Sequence, residues 1–261
     1  MDNIKLSHSE EWLALEKGYS EKIHSIGLSK ENKDKNRYSN ILPFDYSRVI
    51  LSPRENSNND YINASFIDIN EKENVIVTQA PISATIEDFW WMVWTHNVGL
   101  VGMFTNFFEG NKVKAMIYWP LNQNQELFLV NKKLCIINRK TTVLLESILT
   151  ELEIKFENEP SRILYHFHYR GWPDFGTPKT TGDIHQFLKI ALETRNNHPE
   201  LKLLFHCSAG CGRAGVMCAI YRHLITKEEI PHIVEALRKK RMSMVQTDQQ
   251  YKFIYKIIES F

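Results

Sequence analysis

The segment from Leu201 to Ile225 constrains this chain more than any other. Leu201 to Phe205 is a short apolar run that reads as a buried strand. It ends in His206-Cys207-Ser208-Ala209-Gly210-Cys211-Gly212-Arg213, and from Arg213 to Ile225 the pattern becomes helical. A strand passing into a helix through a tight glycine-bearing loop belongs to α/β architecture. Such a loop turns several backbone N–H groups toward one point, where the helix N-terminus adds positive potential. That point favours an anion. Cys207 opens the loop, so a thiolate is favoured there as well as a bound phosphate. Arg213 brings a planar fork suited to two phosphate oxygens. Nucleophile, oxyanion cradle and charge clamp are the parts needed for covalent phosphoryl transfer to sulfur followed by hydrolysis.

Each part has a blander reading. A lone cysteine is usually an inert packing residue, and glycines after a strand often mark only a turn. The spacing of Cys207 to Arg213 shifts the balance toward a site. A metal centre of His206, Cys207 and Cys211 is the weaker alternative, because no second ligand cluster is evident. The remaining cysteines, Cys135 and Cys218, leave four in 261 residues, too sparse for a disulfide framework. A reducing compartment fits, and a cytoplasmic location is expected.

The bulk properties exclude more than they assign. A net charge of +1 gives no support to nucleic-acid binding. No apolar run has membrane-spanning length, and Met1 to Lys5 does not lead into a signal core. Hydrophobic residues make up 43%, enough for a real core. A monomer with no nucleic-acid or membrane partner is expected.

Along the chain, Ser7 with Glu10 reads as a capping box opening a helix to Lys17. Lys30 to Lys35 reads as a loop. Strands are expected at Tyr61–Ile67, Asn74–Thr78 and Leu100–Thr105, with a helix over Thr85–Asn97. The region from Phe128 to Tyr169 is rich in β-formers, among them Val143-Leu144-Leu145. Helices are expected over Asp183–Arg195, Glu229–Arg241 and Asp248–Ser260. Arg238-Lys239-Lys240-Arg241 reads as the solvated end of a helix rather than a targeting signal. With no repeat and no linker, one α/β domain over residues 1–261 is the simplest account, a mixed β-sheet flanked by helices.

At the Cys207 loop the chain resembles the phosphotyrosine-specific protein tyrosine phosphatases, and the Cys211 form of the loop is similar to that of the PEST-type members. Other blocks carry the same resemblance in family order: Lys35-Asn36-Arg37-Tyr38; Asp60 to Ser65; Gln79-Ala80-Pro81 with Thr85 and Asp88-Phe89-Trp90; Glu109 and Lys114 with Tyr118-Trp119-Pro120; His166 to Tyr169 leading into Trp172-Pro173-Asp174-Phe175-Gly176; and Gln246 to Tyr251. They run from about residue 35 to 251, which leaves residues 1–34 as an N-terminal helical extension. The family's fold is a single domain with a highly twisted mixed sheet.

The resemblance implies roles. Cys207 attacks phosphorus, and Arg213 and the backbone of Ser208, Ala209, Gly210, Cys211 and Gly212 hold the phosphate. Asp174, on the mobile loop that Trp172 opens, protonates the leaving tyrosine oxygen and then acts as base toward water. Gln246 positions that water, with Gln250 beside it. Glu109, with Lys114, holds Arg213 in register, and His206 tunes the thiolate. Tyr38 stacks on the substrate ring and deepens the pocket, Phe175 closes over it, and Asn40 faces the peptide. Cofactors are not implied; the partners are tyrosine-phosphorylated proteins.

Departures from the family pattern matter as much. Ala214 stands where the family carries Ser or Thr, whose hydroxyl helps the sulfur leave. Asn40 replaces a common Asp that grips the peptide backbone. Ala115 replaces a Cys, and Ser243 a Gly, which is expected to narrow one pocket wall. Ala214 and Asn40 feed a competing reading as a pseudophosphatase or substrate-trapping module. A phosphoinositide phosphatase is the third reading, opposed by Tyr38. The divergent pattern and the Asn-, Lys- and Ile-rich composition also resemble the virulence phosphatases of insect-associated viruses. Cys211 is expected to serve packing, with reversible protection of Cys207 as the alternative.

Overall fold

The computed structural model describes residues 7–16, 23–55, 57–173 and 176–261. The expected sites Asp174 and Phe175 therefore lie outside the described residues, as does Lys17. Helix α1 (His8–Glu16) opens with the expected reciprocal cap. The Ser7 N–H donates to Glu10 Oε2 at 2.8 Å and the Glu10 N–H to Ser7 Oγ at 3.4 Å. A short α2 (Ser25–Leu28) follows, and the polar stretch expected as loop carries one 3-10 turn at Lys33–Lys35.

The strands are β1 (Arg48–Ile50), β2 (Tyr61–Asp68), β3 (Asn74–Thr78), β4 (Val98–Met103), a small hairpin of β5 (Phe108–Glu109) and β6 (Lys112–Val113), β7 (Glu126–Leu129), β8 (Leu134–Val143), β9 (Ser147–Phe156), β10 (Arg162–Tyr169) and β11 (Lys202–His206). The remaining helices are α3 (Ile86–Thr95), α4 (Gly182–Asn197), α5 (Gly212–Thr226), α6 (Ile230–Lys240) and α7 (Asp248–Ser260). Nine strands form one mixed sheet in the order β1-β2-β3-β11-β4-β10-β9-β8-β7. β11 lies parallel between β3 and β4, and β10 runs parallel to β4; the flanking pairs are antiparallel.

Sheet position explains burial. The central β4 is buried at every residue, as parallel strands covered on both faces are. One face packs against α4 to α7 through Phe187, Val216, Ile220, Leu237 and Ile254. The other packs against α3 through Phe89, Trp90 and Val93. Among the described residues no helix is long and apolar enough to cross a membrane.

Two expectations need correction. Val143-Leu144-Leu145 is not a continuous strand. β8 stops at Val143, and Leu144 N–H donates to Ser147 O at 2.9 Å to close a hairpin. Val143 and Leu145 are 70% and 79% exposed at its tip, so β propensity there is outvoted by the lack of any surface to pack on. The basic run at the end of α6 is likewise not uniformly solvated. Lys239 pairs with Glu235 and Lys240 with Asp68, but Arg238 and Arg241 are buried. Residues 234, 237, 238 and 241 share the inward helical face, and this places both arginines in the core.

Candidate active site

β11 ends at His206 and α5 begins at Gly212, so Cys207 to Cys211 form the loop at the carboxyl edge of the parallel strands. Gly210 adopts φ +71°, and a Cβ there would lie 2.2 Å from Thr78 O. Only glycine fits this turn. A Cβ at Gly212 would meet Gln246 Oε1 at 2.7 Å, so the next loop packs directly on the helix start. The Ala80 N–H donates to Ser208 O at 2.9 Å and pins the outer side of the loop.

Arg241 fixes the loop from behind. Its Nε donates to Gly210 O at 2.7 Å and its Nη2 to Ala209 O at 3.0 Å. The same guanidinium donates to Asn63 Oδ1 at 2.7 Å and Ser65 Oγ at 3.2 Å on β2. Two loop carbonyls are thus turned away from the cradle into a fully buried fork. Arg241, Asn63 and Ser65 carry no expected site role in the sequence. The available signal is the position of Arg241 on the apolar stripe of α6.

Arg213 meets Glu109 as a two-pronged pair, Nη1 to Oε1 and Nη2 to Oε2, the latter at 2.9 Å. Nη1 also donates to Thr105 Oγ1 at 3.0 Å, and Lys114 Nζ lies 3.3 Å from Glu109 Oε2. The expected contact between Glu109 and Arg213 is present, with Lys114 on the same carboxylate. Glu109 comes from β5, in the two-strand hairpin that is separate from the main sheet.

The segment carrying Tyr38 is held by a polar clamp. Gln79 accepts from Arg37 N–H at 2.8 Å and donates to Lys35 O at 2.7 Å. The Arg37 side chain donates to Ala80 O at 3.1 Å and Pro81 O at 2.7 Å. Buried Asp88 takes Lys35 at 3.1 Å and Arg54. Ser208 Oγ donates to Lys114 O at 2.7 Å, so Tyr38 OH donates to Ser208 Oγ at 2.8 Å. A cleft of about 320 Å³ results, where Tyr38, Asn40, Lys114, Cys207, Arg213, Gln246 and Gln250 come together. Gln246 N–H donates to Gln250 Oε1 at 2.8 Å, and Thr247 caps α7 by accepting from Gln250 N–H. Trp172 is buried, and its Nε1 donates to Gly176 O at 3.0 Å, tying together the two ends of the expected acid loop.

His206 faces a buried chain. Its Nε2 lies 2.6 Å from Tyr118 OH, which lies 2.7 Å from His166 Nε2. His206 Nδ1 is 3.1 Å from Cys207 O, so that nitrogen carries the proton. Tyr118 OH then donates to His206 Nε2 and accepts from His166 Nε2–H. Burial pushes His206 down to about 3 and His166 well below its ordinary value, so both rings are neutral. His206 therefore acts on the loop through the Cys207 carbonyl.

Two of the departures, and Cys211, gain a physical context. Ala214 is fully buried in the apolar cluster that includes Cys207. Ser243 adopts φ +56°, the left-handed backbone that favours glycine, and is not among the cleft residues; the expected narrowing of the pocket wall is not seen. Burial raises the Cys211 thiol to about 11, and its Sγ lies 3.7 Å from Ala209 O, which suits the packing reading.

A family model described as protein-tyrosine phosphatase matches residues 32–260. Human tyrosine-protein phosphatase non-receptor type 12 is 36% identical over 251 residues, covering 92% of this chain and 32% of the relative. Rat tyrosine-protein phosphatase non-receptor type 20 is 37% identical over 256 residues, covering 95% and 59%. Mouse receptor-type tyrosine-protein phosphatase eta is 37% identical over 247 residues, covering 89% and 20%. The chain thus spans between a fifth and three fifths of the length of these relatives. With the match running across the strands, the Cys207 loop and the Gln246 segment alike, the chain belongs to the protein-tyrosine phosphatase family.

Proposed function

We propose that the chain hydrolyses phosphotyrosine on proteins through a phosphocysteine intermediate on Cys207. The observation that carries this is the Arg213–Glu109 fork beside Cys207, at the floor of a cleft walled by Tyr38. Glu109 takes one edge of the guanidinium and holds the plane toward the loop. A phosphate on the loop amides then meets an oriented cation. The Cys207 sulfur attacks phosphorus in line, the P–O bond to tyrosine breaks, and Asp174 gives its proton to the leaving oxygen. Water, oriented by Gln246, then attacks phosphorus. Its proton passes to Asp174, and the S–P bond breaks to return the thiolate.

Tyr38 gives the reading its tyrosine preference. Its hydroxyl is tied to Ser208, so the ring stands as a wall. A phosphate at the floor is reached by a long aromatic ester and not by the short side chain of phosphoserine. The whole chain is read as one catalytic domain with residues 1–34 as a helical extension. It would act as a monomer on cytoplasmic phosphoproteins in signalling, in the host cytoplasm if the viral resemblance holds.

Ala214 favours a second reading, a module that captures phosphotyrosine and turns it over slowly, because its buried methyl supplies no donor for the leaving sulfur. One comparison tests both. Phosphotyrosyl peptide, phosphoseryl peptide and a phosphoinositide are assayed with wild type and Cys207→Ser. Turnover of the phosphotyrosyl peptide alone, lost in Cys207→Ser, is expected. Activity only on the lipid refutes the tyrosine assignment, and tight capture without turnover favours the module.

A further inference from the structure

We infer that Arg238 is the positioning residue for Gln246, and that α1 anchors it there. This rests on the phosphatase reading, in which Gln246 orients the water that hydrolyses the phosphoenzyme.

The backbone before Gln246 is held in an unfavourable shape. Ser243 has φ +56° and Val245 φ +58°. A β-branched residue in the left-handed region is strained, and such a conformation persists only where its surroundings over-determine it. Arg238 supplies much of that constraint. Its Nε donates to Met244 O at 3.1 Å and its Nη2 to Val245 O at 3.0 Å, the two carbonyls immediately before Gln246. From the opposite side Val245 N–H donates to Cys211 O at 3.3 Å.

The third arm of Arg238 leaves the site. Nη1 donates to Leu15 O at 3.0 Å, in the last turn of α1, where carbonyls carry the negative end of the helix dipole. The Trp12 ring lies 4.7 Å from the guanidinium carbon, a cation–π contact in a buried setting. α1 is itself fastened to α7. Glu11 accepts from Tyr251 OH at 2.8 Å and Tyr255 OH at 2.7 Å, and His8 stacks on Tyr255 at 3.7 Å. An unbroken chain of contacts thus runs from α1 through Arg238 to the peptide groups that aim Gln246.

The phosphate cradle is held by other residues, Arg241 behind the loop and Glu109 on Arg213. Loosening Arg238 should therefore leave attack by Cys207 intact and slow the second half-reaction. In that step a bond forms from water oxygen to phosphorus, the S–P bond breaks with its electron pair returning to Cys207, and water's proton goes to Asp174.

The test is rapid quench of the full chain with a radiolabelled phosphotyrosyl peptide, reading formation and decay of the phosphoenzyme separately. Wild type, Arg238→Met, Arg238→Lys and Trp12→Ala are compared, each with a thermal melt. The expected result is formation within about twofold of wild type. Decay should slow about tenfold in Arg238→Met, the loss of a hydrogen bond to a charged group, with partial recovery in Arg238→Lys, and about threefold to fivefold in Trp12→Ala, the loss of the cation–π contact that seats the guanidinium. Equal slowing of both steps, or unchanged decay in both variants, overturns the inference. Should Arg238→Met fail to fold, Trp12→Ala decides alone. A wild type that forms no phosphoenzyme sinks the phosphatase reading itself, an outcome separable from failure of the inference because it needs no variant.

Discussion

Under the proposed mechanism, substituting Ala214 with serine should speed hydrolysis of the phosphoenzyme. Ala214 is fully buried on the first turn of α5, in the cluster that includes Cys207. A serine hydroxyl on this turn would ordinarily turn back to the carbonyls three or four residues earlier, but Cys211 O already accepts from Gly215 and Val245 N–H and Gly210 O from Arg241 Nε at 2.7 Å. In the family the hydroxyl at this position instead serves the cysteine sulfur. The occupied carbonyls leave the sulfur as the better partner. A hydrogen bond to the developing thiolate contributes roughly 1.5 to 3 kcal/mol. At about 1.36 kcal/mol per decade, hydrolysis should accelerate by about one to two orders of magnitude. Rapid-quench kinetics should show a burst in wild type, from accumulated phosphocysteine. Ala214→Ser should abolish the burst, raise the steady-state rate and leave phosphoenzyme formation unchanged. No burst in wild type together with an unchanged rate in the variant would show that Ala214 does not limit hydrolysis.

Further outcomes follow from the same geometry. Arg241→Met removes the donors to Gly210 O, Ala209 O, Asn63 Oδ1 and Ser65 Oγ, leaving buried acceptors unpaired. A loss of about 3 kcal/mol in urea unfolding is expected, with kcat/KM falling in parallel and no rescue by Lys, which lacks the fork. Glu109→Gln breaks the two-pronged hold on Arg213. A drop in kcat/KM of roughly 30-fold is expected, about 2 kcal/mol, with little change in melting temperature. Burial holds His206 at about 3 and His168 at about 4, whereas the unfolded chain protonates histidine near 6.5. The unfolded state therefore binds more protons between those values, and stability, full above 6.5, falls as pH drops through this window. Each ring contributes about 1.4 kcal/mol per pH unit, so denaturation midpoints should fall steeply below pH 6.5, and less steeply in His168→Gln.

Much of this was legible because local pattern and tertiary role coincide. A helix is expected over Asp248–Ser260, and α7 has those bounds, with Thr247 as its cap. The strand, glycine loop and helix around Cys207 follow from one stretch of chain. What stayed hidden depends on distance in sequence. Nothing local says that Asn63, Ser65 and Arg241 share one fork, since the residues on β2 and the end of α6 meet only in the folded sheet. A basic run looks solvated in a linear reading, yet helical phase turns Arg238 and Arg241 inward. The neutral chain from His206 through Tyr118 to His166 was equally invisible, because β11, β10 and the Tyr118 segment become neighbours only through the parallel crossover. The tip at Val143 shows the converse, where strand-forming residues had no partner to pack against.

The most direct test is to quench the chain on the millisecond scale with a phosphotyrosyl peptide and locate the phosphoryl group by peptide mass spectrometry. One phosphoryl group is expected on the Cys207 peptide, gained while tyrosine is released and absent in Cys207→Ser. Phosphate release that persists in Cys207→Ser, or a phosphoryl group on another residue, would contradict the covalent mechanism on Cys207.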